Sequence, residues 1–281
     1  MKRLIPYFTA IVVLLLTVLA PCKSFAEESK IEPFIRGGTD SSLLQNEQQM
    51  IDYAESKVRS KGIVRNLNTT CTTDNYIVGC DNYSENGFEA TYNQNHPGAN
   101  VDKTCVQTAI AQLMYFLKGK GKVSGFSTAY DAYEWILDYS IANSYFNSST
   151  GTSTSAIQYI YQAALSHYCC TGGYTYSSCT GNYYSFICGG IGTGGSGYYP
   201  VVFSYLSDAT GDYHTMVATG YLTYTVSYQI WTLFVGWHSE TASYGFLRVN
   251  DCANSGFERY KINDFPTSNT SGYTAVKITS I

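Results

Sequence analysis

The chain has 281 residues, of which 44% are hydrophobic and 14% charged, with a formal net charge of −4. That composition supports a folded core and excludes a disordered chain, which would be rich in charge and poor in apolar residues. The acidic balance, with a sequence pI near 5.5 and no run of Lys or Arg, argues against nucleic acid as a partner. The 27 tyrosines are read as extracellular β-structure and exposed loops rather than as a ligand-stacking surface.

Lys2 and Arg3 precede an apolar, uncharged run from Ile11 to Ala20, and Ser24-Phe25-Ala26 supplies small residues for cleavage after Ala26. Residues 1–26 therefore read as a secretory signal, and the protein as secreted and extracellular. No second long apolar run follows, so no stable membrane span is expected after signal cleavage. Export places the remaining cysteines in an oxidising compartment, where their even number invites disulfides. The Cys71–Cys80 spacing suits a small bridged loop. Zinc-type Cys/His spacing is absent, and no metal or organic cofactor is implied.

Further along, Ser42 to Lys61 forms an expected helix with Met50, Ile51, Ala54 and Val58 on one face, ended by Gly62. Residues 66–100, rich in Asn, Thr, Tyr and Gly, read as loop with short strands. Val106, Ala109, Ile110, Leu113 and Leu117 predict a helix from Cys105 to Leu117, with Thr104 and Gln107 as a capping box. Further helices are expected over 128–142 and 155–168, the latter capped by Ser155 and Gln158. Residues 169–199 read as a stapled loop. Runs of strand length follow at 200–206, 214–224, 229–237, 244–250 and 273–280. Helices followed by strands give an α+β class.

Cys105 sits where the free N–H groups and dipole of a helix start favour a thiolate. A nucleophilic Cys needs a His. Of His96, His167, His214 and His238, His214 opens a strand and can project its ring toward a facing helix terminus.

Here the residues carry a resemblance. TCVQTAIAQLMYFL (104–117) resembles the nucleophile helix of papain-like cysteine peptidases, closest to the streptopain type of secreted bacterial peptidases. YHTMVATGY (213–221) is similar to their His strand, VGWHSETASYGFLRV (235–249) to the hairpin that follows it, and PVV (200–202) to the strand before it. The resemblance covers about 100–118 and 200–250. It implies a papain-like fold: an N-terminal helical half carrying the Cys helix, packed on a C-terminal antiparallel sheet carrying the His. It implies Cys105 as nucleophile, His214 as general base and acid, and a peptide or protein as substrate. The Cys105 backbone N–H would be one oxyanion donor, and Trp237 would cover the His. The domain would span 86–281, with 27–85 as an N-terminal extension acting as a pro-segment, cut between about Gly62 and Tyr92.

Two positions depart from the pattern. Val235 stands where the family has the Asn or Asp that orients the His, which leaves His238, Asn250 and Asp251 as candidates. Ala99 stands where the oxyanion Gln is common, which leaves Gln94, Asn95 and Asn100. The same motifs also suit an amidase or acyltransferase, since both proceed through the same thioester. A third reading is a binding module with a degraded site. Seven cysteines other than Cys105 leave one thiol unpaired, which weighs toward that third reading.

Overall fold

A computed structural model describes residues 34–35, 42–169, 173–179, 181–192, 198–206, 212–253, 259–266 and 272–281. The chain divides into the units Met1–Ile31 and Glu32–Ile281. The first unit, with the expected signal segment, lies outside the described residues, as does Cys170.

The second unit runs β1 (Phe34–Ile35), α1 (Glu47–Arg59), β2 (Val64–Tyr76), α2 (Glu85–Asn95), α3 (Cys105–Gly119) and α4 (Ala129–Ala142). Then come β3 (Phe146–Asn147), β4 (Gly151–Ser153), α5 (Ile157–Tyr168), β5 (Thr175–Cys179), α6 (Tyr183–Ile191) and β6 (Val201–Leu206). The chain closes with β7 (Tyr213–Thr232), β8 (Gly236–Asn250), β9 (Arg259–Ile262) and β10 (Thr274–Ser280). The class is α+β. Segment 43–85, read above as an extension, supplies α1 and β2 to this unit.

One sheet collects the strands in the order β3-β4-β1-β7-β6-β10-β5, with β2 and β8 also on β7 and β9 on β8. All pairings are antiparallel except β1 with β7. The first half of β7 is buried on both faces, and its period-two alternation feeds two cores. Val217, with Val202 and Val276, packs under α3, α4 and α5. Met216 and Ala218, with Val201, Phe203 and Ala275, pack against Tyr183, Ile187 and Ile191 of α6. The outer half of β7 and β8 is covered on one side by α1, through Met50, Ala54 and Val58.

The expected helices form, with different ends. Thr104 makes no side-chain cap on α3, and Gln107 instead donates to Thr152 Oγ1 at 3.0 Å. A 3-10 turn, Thr154–Ala156, precedes α5, so Ser155 does not cap it. The Asn/Thr-rich stretch, expected as loop with short strands, holds one long strand, β2, with no fully buried residue, and then α2. Threonine's β-branching suits an exposed strand while hiding it from a hydrophobic search. Likewise 175–191 holds β5 and α6 rather than loop alone. The expected strands 214–224, 229–237 and 244–250 are two long strands. The 225–228 stretch has no Gly or Pro to break it, and the chain turns instead at 233–235, helped by Gly236 at φ +72°.

Cys71, Cys80, Cys105, Cys179, Cys188 and Cys252 are free thiols. No Cys71–Cys80 bridge forms: Cys71 is exposed on β2, where its Sγ donates to the Thr73 carbonyl. Tyrosine is also not confined to the surface. Tyr133, Tyr161, Tyr183 and Tyr205 are among the largest fully buried side chains.

Two glycines test the packing. A Cβ at Gly220 would stand 2.7 Å from the Asn75 carbonyl oxygen and 3.1 Å from Arg248 Cβ. Gly220→Ala is expected to destabilise by about 1–3 kcal/mol. Gly119→Ala meets nothing within 4 Å at the end of α3 and is expected to be neutral or stabilising by up to about 1 kcal/mol. Urea unfolding of both variants checks the pair.

Candidate active site

The start of α3 is held by a carboxylate from α2. Glu89 Oε1 accepts from Thr104 N–H at 3.0 Å and Thr104 Oγ1 at 2.9 Å, and Tyr133 OH donates to Thr104 Oγ1 at 3.0 Å. An anion at a helix N-terminus satisfies free donors and the helix dipole together. This clamp fixes the next residue, Cys105, which is fully buried.

His214 is the second residue of β7, paired with Tyr205 of β6. Its Nε2 lies 2.8 Å from the Asp251 carbonyl oxygen. A carbonyl only accepts, so Nε2 carries the proton in this contact. Asp251 in turn is anchored through its side chain. Oδ1 accepts from Asn82 Nδ2 at 3.1 Å and from Ala253 N–H at 3.2 Å, and Arg259 Nε stands 3.8 Å from Oδ2. The candidate third residue Asp251 thus meets the histidine through its backbone.

The third member of the cluster is Glu85, the first residue of α2. One donor atom each from Glu85, Cys105 and His214 lies within 4.8 Å of the others, and all three residues are buried. Glu85 N–H donates to the Cys252 carbonyl at 2.6 Å. Its carboxyl shares a hydrogen bond with Glu89, and its Oε2 is buried without a hydrogen-bond partner. Burial, then the neighbouring Glu89 carboxyl, pushes Glu85 well above the ordinary carboxylate range. Two close carboxyls in a dry site share one proton rather than both ionising. The hydrogen bond between the two raises Glu85 and lowers Glu89, which places the proton on Glu85.

The same surroundings act on the thiol. Burial first, then the Glu85 and Glu89 carboxyls, pushes Cys105 well above the ordinary thiol range, while backbone hydrogen bonds from Thr215 and Val106 pull the other way. Cys105 rests as a neutral thiol here, opposite to what its helix-start position alone suggests. Cys252 is also buried and pushed up, by desolvation and then by Cys105. The oxygen, sulfur and nitrogen of Glu85, Cys105 and His214 form a donor set that could hold a metal ion such as zinc.

The other sequence candidates lie elsewhere. Gln94 is exposed near the C-terminal end of α2, about 14 Å along the helix from Glu85 at ~1.5 Å per residue. Asn100 is exposed in the loop before α3, at φ +48°. Trp237 faces Trp231 across the far end of the β7–β8 hairpin, on the order of 50 Å along β7 from His214 at ~3.3 Å per residue. It does not cover the histidine. Val235 lies in the tip itself, and His238 bonds Gly236 O and Glu240 there. Asn250 holds the Cys80 and Asp81 carbonyls at 3.0 and 3.2 Å. His96 pairs with Glu134, and His167 stacks on Trp135.

Glu85 and Glu89 were missed because their stretch reads as loop. One signal was present: Glu85, Glu89 and Tyr92 recur at helical spacing and are the buried face of α2. Two of these three inward positions are acidic, so an apolar search passes over them.

Comparison with known proteins gave no match: no family model, no curated protein and no solved structure aligned significantly with the chain.

The buried carboxyl gives a pH signature. In the unfolded chain Glu85 ionises near its ordinary 4.5, while the native state keeps the proton. Stability therefore falls as pH rises above about 4.5, by up to ~1.4 kcal/mol per pH unit per group, until the folded carboxyl titrates. Glu85→Gln is expected to flatten this dependence between about pH 5 and 7. Urea midpoints across that range measure it, and an unchanged slope would assign the proton to another group.

Proposed function

We propose that the protein is a secreted cysteine peptidase of papain-like fold, with Cys105 as nucleophile and His214 as general base and acid. The observation that carries this reading is the meeting of the first residue of α3 with an imidazole whose Nε2–H is tied to the Asp251 carbonyl. With Nε2 committed, Nδ1 is the ring nitrogen that would take the thiol proton. The thiolate would add to a peptide carbonyl, and the imidazolium would return the proton to the leaving amine. Water would then hydrolyse the thioester. The Cys105 N–H, in the first turn of α3 where no intrahelical acceptor exists, would donate to the oxyanion.

The expected pro-segment, residues 27–85, supplies α1 and β2 to the sheet, with β2 paired along β7, so the reading places inhibition in the covering of Cys105 by α2 and not in a segment that is cut away. Cys105 is fully buried and Glu85 stands beside it, so a substrate would reach the thiol only after α2 moves aside, which would also relieve the burial that keeps the thiol neutral. An amidase or acyltransferase would use the same atoms. The neutral, buried thiol favours a second reading, a binding module on the same scaffold without turnover.

Iodoacetamide labelling from pH 5 to 9, mapped by mass spectrometry and run beside hydrolysis of a peptide library and small amides, separates these readings. For a peptidase, hydrolysis is lost in Cys105→Ala and falls by about 10²- to 10⁴-fold in His214→Ala. Asp251→Asn keeps most of the rate, because the accepting oxygen belongs to the backbone. Labelling of Cys105 well below the free-thiol pKa of about 8.5, lost with His214, marks the activated pair. Labelling only at high pH, without hydrolysis, selects the binding module.

A further inference from the structure

The far end of the β7–β8 hairpin carries apolar side chains that the proposed chemistry does not use. The strands end on the pairs Trp231–Trp237 and Thr232–Gly236, and Leu233, Phe234 and Val235 form the turn. Phe234 is 95% exposed, Leu233 74% and Val235 70%. Ile63, whose carbonyl accepts from Trp231 N–H at 3.0 Å, adds a fourth exposed apolar residue beside them. Single exposed apolar residues are ordinary, whereas contiguous ones mark a contact surface.

The surroundings of the tip indicate what covers it. Trp231 and Trp237 are exposed and stand opposite each other on the paired strands at the base of the turn. Phe234 is the middle residue of the turn, three residues from each of them. An indole pair at headgroup level with aliphatic and phenyl groups about 5–10 Å deeper is the layout of an interfacial lipid contact. Basic groups gather at the same end. Arg65 lies 4.0 Å over the Trp237 ring, Lys61 Nζ is 2.9 Å from Tyr228 OH, and Lys57 and Arg59 occupy the last turn of α1. Glu55, paired with Arg59, and Glu240, bonded to Tyr228 and His238, offset part of that charge. On a chain of net charge −4, a local excess of cations flanking an apolar tip complements an anionic phospholipid surface. The turn's backbone polar groups limit entry to the headgroup boundary.

We propose that this tip docks on a phospholipid bilayer. Leu233, Phe234 and Val235 enter the acyl boundary, Trp231 and Trp237 sit among the headgroups, and Lys57, Arg59, Lys61 and Arg65 face anionic lipid. Docking does not depend on Cys105 chemistry.

The test uses the full chain with phosphatidylcholine vesicles, with and without phosphatidylserine, some carrying brominated acyl chains. The expected result is quenching of tryptophan emission by brominated lipid and stronger binding to the anionic vesicles. In Leu233→Ser/Phe234→Ser, quenching is lost and partition falls by about tenfold or more. An unchanged thermal midpoint checks that this exposed double variant folds. Lys61→Glu/Arg65→Glu is expected to lose the anionic preference while keeping quenching. The apolar run at 11–20 is common to all variants, so equal quenching in the tip variant overturns the proposal. Tip-dependent self-association in sedimentation equilibrium, without quenching, overturns it as well and identifies a second copy as the occupant.

Discussion

A twenty-residue strand must satisfy its hydrogen bonds on two edges, and β7 does so by changing partners midway. One edge is served by β6 up to Ala218 and by β2 from Gly220, while the other meets β1 at Tyr213 and β8 from Val217. The exchange falls at a register shift between Ala218 and Gly220, where Asn75 and Arg248 press close enough to require glycine. The inner half thereby becomes the centre of a sheet covered by helices on both faces. The outer half becomes a two-sided arm with one helix on it and an apolar end beyond it. Unpaired backbone groups in the buried half would each cost about 1–3 kcal/mol, so the partner exchange is a condition of the fold.

The candidate site follows from that arrangement. His214 lies at the inner end of β7, and Val217 three residues on packs beneath α3. The strand and the helix start are therefore brought together by the main core. What the core leaves free is the rotation of the imidazole and the end geometry of α3, and each is set by a carboxylate residue. Glu89 clamps Thr104, and Asp251 uses its side chain to hold its own carbonyl against Nε2. The first device draws on α2, the helix just before α3, and the second on Asp251, just past the end of β8 and 37 residues after His214.

The same carboxyls impose an electrostatic cost on the thiol. A buried sulfur beside a shared-proton carboxyl pair is held neutral, and a helix dipole worth about 0.3–1 kcal/mol at an exposed terminus does not outweigh burial of that degree. Any chemistry on Cys105 must begin by altering these surroundings, through substrate entry or through movement of α2. The long arm separates the apolar tip from this site by seventeen residues of β7, from His214 to Trp231.

Much of this was legible from residues alone. The α+β class, α3 with Cys105 at its first residue, α4, α5, β6 and β10 follow from apolar spacing and local residue chemistry, while the pairing of Cys105 with His214 comes from the resemblance of their two segments to papain-like peptidases. Those signals are local: a periodic apolar face must be buried wherever it goes. Asp251 was legible only as one of three candidates, because backbone acceptance leaves no trace in residue type. Glu85 and Glu89 were hidden because a buried helix face made of acids looks like a loop. Trp237 was placed near the histidine by motif order, and only the uninterrupted pairing of β7 with β8 carries it to the opposite end. Sequence therefore determined the elements with a periodic apolar face, and left β2, α2, β5 and α6 unread. Tertiary structure decided the protonation of Cys105 and Glu85, the orienting groups and the reach of the hairpin, since these depend on burial and on contacts between separate elements, from Glu89 with Thr104 to Asp251 with Asn82.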